Sequence, residues 1–478
     1  MISANHSWAL LLAFSSAVGL LSPPSNARAE PSEIGRPTIQ ISPDRLMESV
    51  SDLSQFGGRQ AGTSGSEQAV AYISQRLPQS RLQSFPVTAV HVEPPVRVVV
   101  DAETGGQVFH AGQDFLPILN AMGADIVSAR VMFVGYGISD RAGGLDEYAD
   151  LSARGKVVLF LRGQPKNYAG RVTQQEKVKA AKAHGAVGYL MATGPSLSAY
   201  ERRRGMGQNP MAFYDESAEN LPGLWIAPHM AERLLPNGVT LESFQTQMDA
   251  RPLARLSETG HTVTVKMEQR RMNAMASNVV GFWPGSDPER RDQVIVLGAH
   301  HDHFGRQAGI VFAGADDNAS GIAILLEIAR VLTSHELKPK RSILLVAFSG
   351  EEQGLLGSRY YVSHPVIPLS ATTAMINVDH AGVGNGKITI GLSKLEKDVA
   401  NIAAEQAELK ERTEVFGFFP GGDHVPFEEA GIPTATIVSS GAHPDFHQPS
   451  DTADKVQPDI LDAVARYTVS LLWGLANQ

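Results

Sequence analysis

Residues 294–358 constrain this chain more than any other stretch. Val294-Ile295-Val296-Leu297 and Ile343 to Phe348 are continuous apolar runs, the pattern of strands buried on both faces. Each run leads into a block of imidazoles or carboxylates. The first meets Gly298-Ala299-His300-His301-Asp302-His303, and the second meets Ser349-Gly350-Glu351-Glu352. Between them Gly314-Ala315-Asp316-Asp317-Asn318-Ala319-Ser320-Gly321 precedes Ile322, Leu325, Leu326, Ala329 and Leu332, which recur at helical spacing. A strand, a helix and a second strand make a parallel unit, and such sheets present ligands at the carboxyl ends of their strands.

The rest of the chain alternates in the same way. Ser42-Pro43-Asp44 opens a helix, with Ser42 as cap, Pro43 at the first helical position, and Leu46, Val50, Leu53 and Phe56 along one face. A glycine-rich loop, Gly57 to Gly65, leads to a second helix carrying Ala69, Val70, Tyr72, Ile73 and Leu77. Val87 to Val92 and Val96 to Val100 read as two strands separated by Pro94-Pro95. Further strands are expected at residues 131–136, 156–162, 187–191, 263–267, 277–283, 373–378 and 434–438, with a helix over 177–184. The expected fold is α/β: a mixed, mostly parallel sheet with helices on both faces, plus a smaller inserted β-rich α/β domain. The expected boundaries are an N-terminal part at 30–124, the insert at 125–240 and the main domain at 241–478. The insert carries no cluster of metal ligands and no nucleophile–base pair, so it reads as a lid or docking module.

Composition narrows the chemistry. The chain of 478 residues has no cysteine, which removes disulfides, thiolate metal sites and a cysteine nucleophile. Any metal must be held by His, Asp and Glu. Net charge is −9 and the one compact basic cluster is Arg202-Arg203-Arg204, which argues against nucleic acid as a partner. Trp8 to Leu21 is apolar and is followed by Ala27-Arg28-Ala29, the pattern of an export signal cut after Ala29. A periplasmic or secreted protein with no stable membrane insertion after cleavage is expected.

Five strand or loop ends then carry potential ligands. His300 ends the first buried run, and Asp302, two residues on, would lie on the same side of an extended segment and could fix the tautomer of His300. His301 and His303 are rivals that would point the other way if the segment stays extended. Asp316 and Asp317 precede a helix. Of Glu351 and Glu352, one could bind metal while the other takes a proton from water. Asp379 ends the run Met375 to Val378, and His447 lies in Asp445-Phe446-His447-Gln448-Pro449-Ser450-Asp451-Thr452.

The motifs Gly-Ala-His300-His-Asp302, Gly-Ala-Asp-Asp317-Asn-Ala-Ser-Gly, Gly-Glu351-Glu352-Gln-Gly-Leu-Leu-Gly-Ser, Asn-Val-Asp379 and Phe-His447-Gln-Pro-Ser-Asp-Thr resemble those of the co-catalytic di-zinc aminopeptidases. That family also contains glutamate carboxypeptidase II and aminopeptidase Y. Gly57 to Ile73 resembles its N-terminal segment, and the insert resembles a protease-associated domain. The resemblance implies two zinc ions per chain, bridged by Asp317, with His300 and Asp379 on one and Glu352 and His447 on the other. It implies Glu351 as general base, Asp302 orienting His300, a cis Asp317-Asn318 peptide, and peptide substrates. It implies zinc exopeptidase activity, with aminopeptidase the leading reading and carboxypeptidase or one-zinc glutaminyl cyclisation as the alternatives. The chain departs from the pattern in one place. Several relatives carry a tyrosine that assists the oxyanion, whereas this chain has Phe418-Phe419-Pro420-Gly421-Gly422-Asp423-His424. One zinc alone could polarise the carbonyl, or His424 could help.

Overall fold

The computed structural model describes residues 40–478 except 102, 104, 218, 237 and 251–257, so the expected export signal lies outside the described residues. The strand Val294–His300 occupies the middle of the main sheet. It pairs in parallel with Ser342–Phe348 on one side and Thr372–Val378 on the other, and Thr434–Ser439 continues the parallel order. Ile388–Ser393 then runs antiparallel, and Thr413–Phe416 parallel to it, completes that edge. All seven residues of Val294–His300 and of Ser342–Phe348 are buried, as the continuous apolar runs predict.

Both faces are covered. Val294, Val296, Leu344, Val346 and Met375 pack with Tyr361 of the helix Leu356–Ser363 and Phe427 of the helix Val425–Glu429. The intervening side chains Ile295, Leu297, Leu345 and Ile376 are fully buried on the opposite face, where the long helices Ser320–Ser334 and Pro458–Asn477 lie against the strands. The mixed, mostly parallel architecture is therefore as expected. No described helix is long and apolar enough to cross a membrane.

Two pairs of expected strands are each continuous. Arg81–Val100 runs through the prolines, with a cis Pro94-Pro95 bond and a register shift between Glu93 and Arg97. Such an irregularity is where a ladder tolerates residues without an N–H. Its partner Thr262–Trp283 spans 22 residues in one piece. Its polar middle, Gln269 to Asn273, hides the strand from periodicity because the pairing with residues 88–92 holds it. Thr262–Trp283 also joins two regions. Its end pairs with Ser342–Phe348, and its beginning pairs antiparallel with Ile126–Phe133. From Ile126–Phe133 the sheet passes in parallel to Val157–Leu161, Gly188–Ala192 and Gly223–Ile226, and ends antiparallel at Phe115–Pro117. Thus the sheet is continuous, at fourteen strands among the described residues.

Candidate active site

The carboxyl ends of the central strands deliver His300, Glu351 and Glu352, and Asp379 to one place. His300 is the last residue of its strand, and Glu351 follows Ser342–Phe348 through Gly350, whose φ is +76°. Asp317 arrives from Ala315–Ala319, an irregular turn ahead of the helix Ser320–Ser334 that contains the cis Asp317-Asn318 bond implied by the resemblance. His447 comes from the loop before the last helix.

His300 Nε2 lies 3.2 Å from Asp317 Oδ1 and 3.3 Å from Asp379 Oδ1. His447 Nε2 lies 3.1 Å from Asp317 Oδ2 and 3.3 Å from Glu352 Oε2. Asp317 is thus shared by two donor groups, one oxygen to each. Asp316 is directed elsewhere: its Oδ1 accepts from Gly382 N–H at 2.8 Å and its Oδ2 lies 2.7 Å from His443 Nδ1. Despite these short separations, His300 Nε2 and Asp317 Oδ2 are buried without a hydrogen-bond partner. The donor atoms converge on shared points between them instead of on one another. Ligands at zinc distances of about 2.1 Å in tetrahedral array would be roughly 3.4 Å apart. The donor set, its spacing and its orphaned atoms all fit metal ions.

The neighbouring groups hold these ligands in place. His300 Nδ1 is 3.2 Å from the backbone carbonyl of Asp302 and 3.8 Å from its carboxylate. Asp302 is therefore at the far nitrogen of His300, but its carbonyl makes the contact, while its carboxylate accepts from Glu351 N–H at 3.1 Å. Asp451 Oδ1 and Oδ2 accept from the N–H groups of Asp316 and Asp317 at 2.8 and 3.1 Å. Arg59 is fully buried and donates to the carbonyls of Leu53, His301, Ala313 and Gly314, tying the first helix to both ligand-bearing loops.

His303 departs from the expectation of an extended segment. The strand stops at His300, so alternation no longer governs the next residues. His301 turns away to the Ser277 carbonyl at 3.1 Å, whereas His303 turns inward, with Nδ1 2.6 Å from Glu352 Oε1. His303, Asp317 and Glu352 form a further potential ligand group, as do Asp316, His380 and His443. The His303 contact has hydrogen-bond geometry, and it leaves Glu352 Oε2 free to face His447. That division of the two Glu352 oxygens favours His447 as ligand and His303 as the residue that aims Glu352. In the second group Asp316 and His443 are already engaged with Gly382 and with the Ser439 carbonyl, so it is a hydrogen-bonded support.

Burial and mutual repulsion set the electrostatics. Burial raises the Glu351 carboxyl well above its usual range. His300 opposes that rise, while Glu352, Asp423 and Asp379 add to it. Glu352 is likewise raised by burial, against the pull of His447. For Asp317 burial also acts upward, but His380, His300 and His447 outweigh it and hold the pKa well below the usual value. Asp423 is raised to about 7 by burial. So many carboxylates in a buried space require positive charge.

Beside the ligands opens a cavity of about 720 Å³. Glu351, Glu352, Asp317, Asp379, His380 and His447 line its floor, and Val415, Phe416, Phe419, Pro420 and Val438 form an apolar wall. Phe419 stands on that wall with no hydroxyl. His424 donates from Nε2 to the Phe419 carbonyl at 2.9 Å and does not line the cavity. His380, partly buried and with a shielded Nδ1 that has no hydrogen-bond partner, does line it. Sequence reasoning named His303 as a rival ligand but expected it to point away, and it missed His380, Asp423 and the supporting roles of Asp451 and Arg59. The Asp379-His380 and Asp423-His424 pairs were the available signals.

Imidazoles and carboxylates converging at the carboxyl ends of parallel strands define a hydrolase-like metal-site geometry on an α/β sheet. Residues 278–472 match the model of peptidase family M28. The chain is 26% identical over 429 residues to aminopeptidase YwaD of Bacillus subtilis (strain 168), covering 86% of this chain and 80% of that one. It is 31% identical over 189 residues to leupeptin-inactivating enzyme 1 of Streptomyces exfoliatus, covering 39% of this chain and 40% of the relative. Among solved structures, an aminopeptidase from Aneurinibacillus sp. strain AM-1 superposes with a TM-score of 0.66 at 22% identity, covering 91% of this chain and 94% of that one. BSAP, a zinc aminopeptidase from Bacillus subtilis, does so with 0.66 at 21% identity, covering 92% and 97%. These two likenesses establish the fold.

Proposed function

We propose that this chain is a two-zinc exopeptidase, an aminopeptidase that removes the N-terminal residue of peptides. The observation that carries the reading is the division of Asp317 between two imidazole–carboxylate groups, with Glu351 beside them on the cavity floor. The name of the Bacillus subtilis relative, an aminopeptidase, supports the polarity. The all-nitrogen-and-oxygen donor set supports zinc.

In this reading His300, Asp317 and Asp379 hold one ion and Asp317, Glu352 and His447 the other. When bound, the ions supply a water whose pKa is lowered to roughly 7 and polarise the scissile carbonyl. Glu351, raised by burial among acidic neighbours, is suited to accept a proton and return it to the leaving amine. Asp302 holds the far side of His300 and the N–H of Glu351 together, so the base and one ligand move as a unit. The apolar wall of Val415, Phe416, Phe419 and Val438 suits an uncharged N-terminal side chain. Residues 1–29 are read as an export signal, which predicts a mature N-terminus at Glu30; N-terminal sequencing of the processed protein checks it. The 125–240 region is read as a protease-associated insert.

The test is metal content together with a panel of aminoacyl anilides, with and without chelator. Two zinc ions per chain and chelator-sensitive anilide hydrolysis are expected. One zinc per chain with cyclisation of N-terminal glutamine would overturn the reading.

A further inference from the structure

The only lysine or arginine residues lining the cavity, among the described residues, are Arg203 and Arg204. They come from the insert, far in sequence from every ligand. The helix Ala199–Arg203 is tethered by an ion pair between Arg162 and Glu201. Just beyond it, His443 N–H donates to the Arg204 carbonyl at 2.6 Å. Gly205 approaches Ala442 so closely that a Cβ there would come within 2.4 Å of the Ala442 side chain. Residues 204 and 205 are therefore fastened to the loop that carries His443 and His447. The Arg204 guanidinium carbon sits 5.8 Å from the centre of the Phe446 ring, and that ring stacks on His447 at 3.8 Å and 20°.

Neither Arg203 nor Arg204 forms an ion pair with a carboxylate among the described residues, although Asp317, Glu351, Glu352, Asp379 and Glu414 line the same cavity. A guanidinium beside a ring, lining the cavity and without an ion-pair partner among the described residues, can take a carboxylate through paired N–H donors. An extended residue spans roughly 3.5 Å, so a dipeptide reaches roughly 7 Å and a tripeptide roughly 10 Å. The path from the His447 ring through Phe446 to Arg204 is of that scale. A cavity of about 720 Å³ holds a peptide of that size.

We propose that Arg204, with Arg203 beside it, binds the terminal carboxylate of a short peptide whose other end lies at the His300–Asp317–His447 centre. Di- and tripeptides with a free carboxylate are then the preferred substrate class. This rests on the peptidase reading above and adds to it a specificity supplied by the insert.

The experiment compares leucyl-alanine, its carboxamide and leucine p-nitroanilide with the zinc-loaded full chain. The free acid should exceed the amide in kcat/KM by about tenfold, carried by KM. Arg204→Gln should collapse that ratio toward one, and Arg204→Lys should restore part of it. A second measurement does not depend on turnover: calorimetry in the Glu351→Gln background should show the acid binding about tenfold tighter than the amide, with the difference lost when Arg204→Gln is added. Equal affinity for acid and amide in the Glu351→Gln chain with Arg204 intact would overturn the proposal whether or not the Arg204 variants fold. So would an Arg204→Gln protein that loses both substrates in equal proportion. Failure to hydrolyse the anilide at all would overturn the peptidase reading instead, so the two failures are distinguishable.

Discussion

Asp317 and Glu351 show how much a single position decides. Asp316 and Asp317 are chemically identical and adjacent, yet Asp451 accepts from both of their N–H groups and fixes their carboxylates in different directions. Asp317→Asn should therefore lose metal from both groups, whereas Asp316→Asn should retain it; metal analysis after gel filtration separates the two outcomes. Glu351→Gln should lower kcat by about 10²–10⁴-fold, the range of a lost general base, with zinc content unchanged. A variant that kept its turnover would place the base elsewhere. Arg59 is a structural counterpart. Burial lowers its pKa to about 10, and it serves four carbonyls at once. Arg59→Met would leave those acceptors unpaired in the interior, at roughly 1–3 kcal/mol for each unsatisfied group. A loss of at least about 3 kcal/mol in denaturant unfolding is expected.

At the scale of elements, the strand ends make the site, and Arg203 and Arg204 from the 125–240 region line its cavity. The helix Gln174–Ala183 contains a buried cation. Lys177 Nζ donates to the carbonyls of Leu161 and Gly163, and it lies 5.7 Å from the Tyr136 ring. Burial lowers Lys177 from 10.5 to about 7. An unfolded chain keeps this proton up to its ordinary pKa, while the folded chain releases it above about 7. Between those values the unfolded state binds more protons, so this group makes stability rise with pH. Lys177→Met should flatten that rise, as measured by urea midpoints at pH 7 and pH 10. An unchanged slope would mean that the lysine stays protonated in the fold.

For the whole molecule, one sheet links the strands that carry His300, Glu351 and Asp379 to Val157–Leu161, Gly188–Ala192 and Gly223–Ile226, through Thr262–Trp283 and Ile126–Phe133. The last helix, Pro458–Asn477, lies behind the same strands. A ligand that occupies the converging carboxylates should therefore stabilise the fold, by about 2.7 kcal/mol at a hundredfold excess over its Kd. Treatment with a chelator should lower the thermal midpoint, and added zinc should restore it. A midpoint indifferent to both would mean that the site holds no ion tightly.

Local sequence determined a large part of this. Apolar runs without alternation marked the central strands, because a parallel strand covered on both faces has no polar side to show. Ser42 and Pro43 marked the first helix, and Ser42 does accept from Arg45 N–H. The His, Asp and Glu residues at strand ends could be singled out because those ends are where the fold opens to ligands. Tertiary structure decided the rest. The single strand Thr262–Trp283 has a polar middle that only its partner holds extended. His303 turns inward because the strand ends at His300, which no spacing rule reports. The far nitrogen of His300 donates to a backbone carbonyl, and every residue has one. Arg204 reaches the cavity because a loop more than two hundred residues later receives it. Periodicity records which face of an element is buried, but not which distant element buries it.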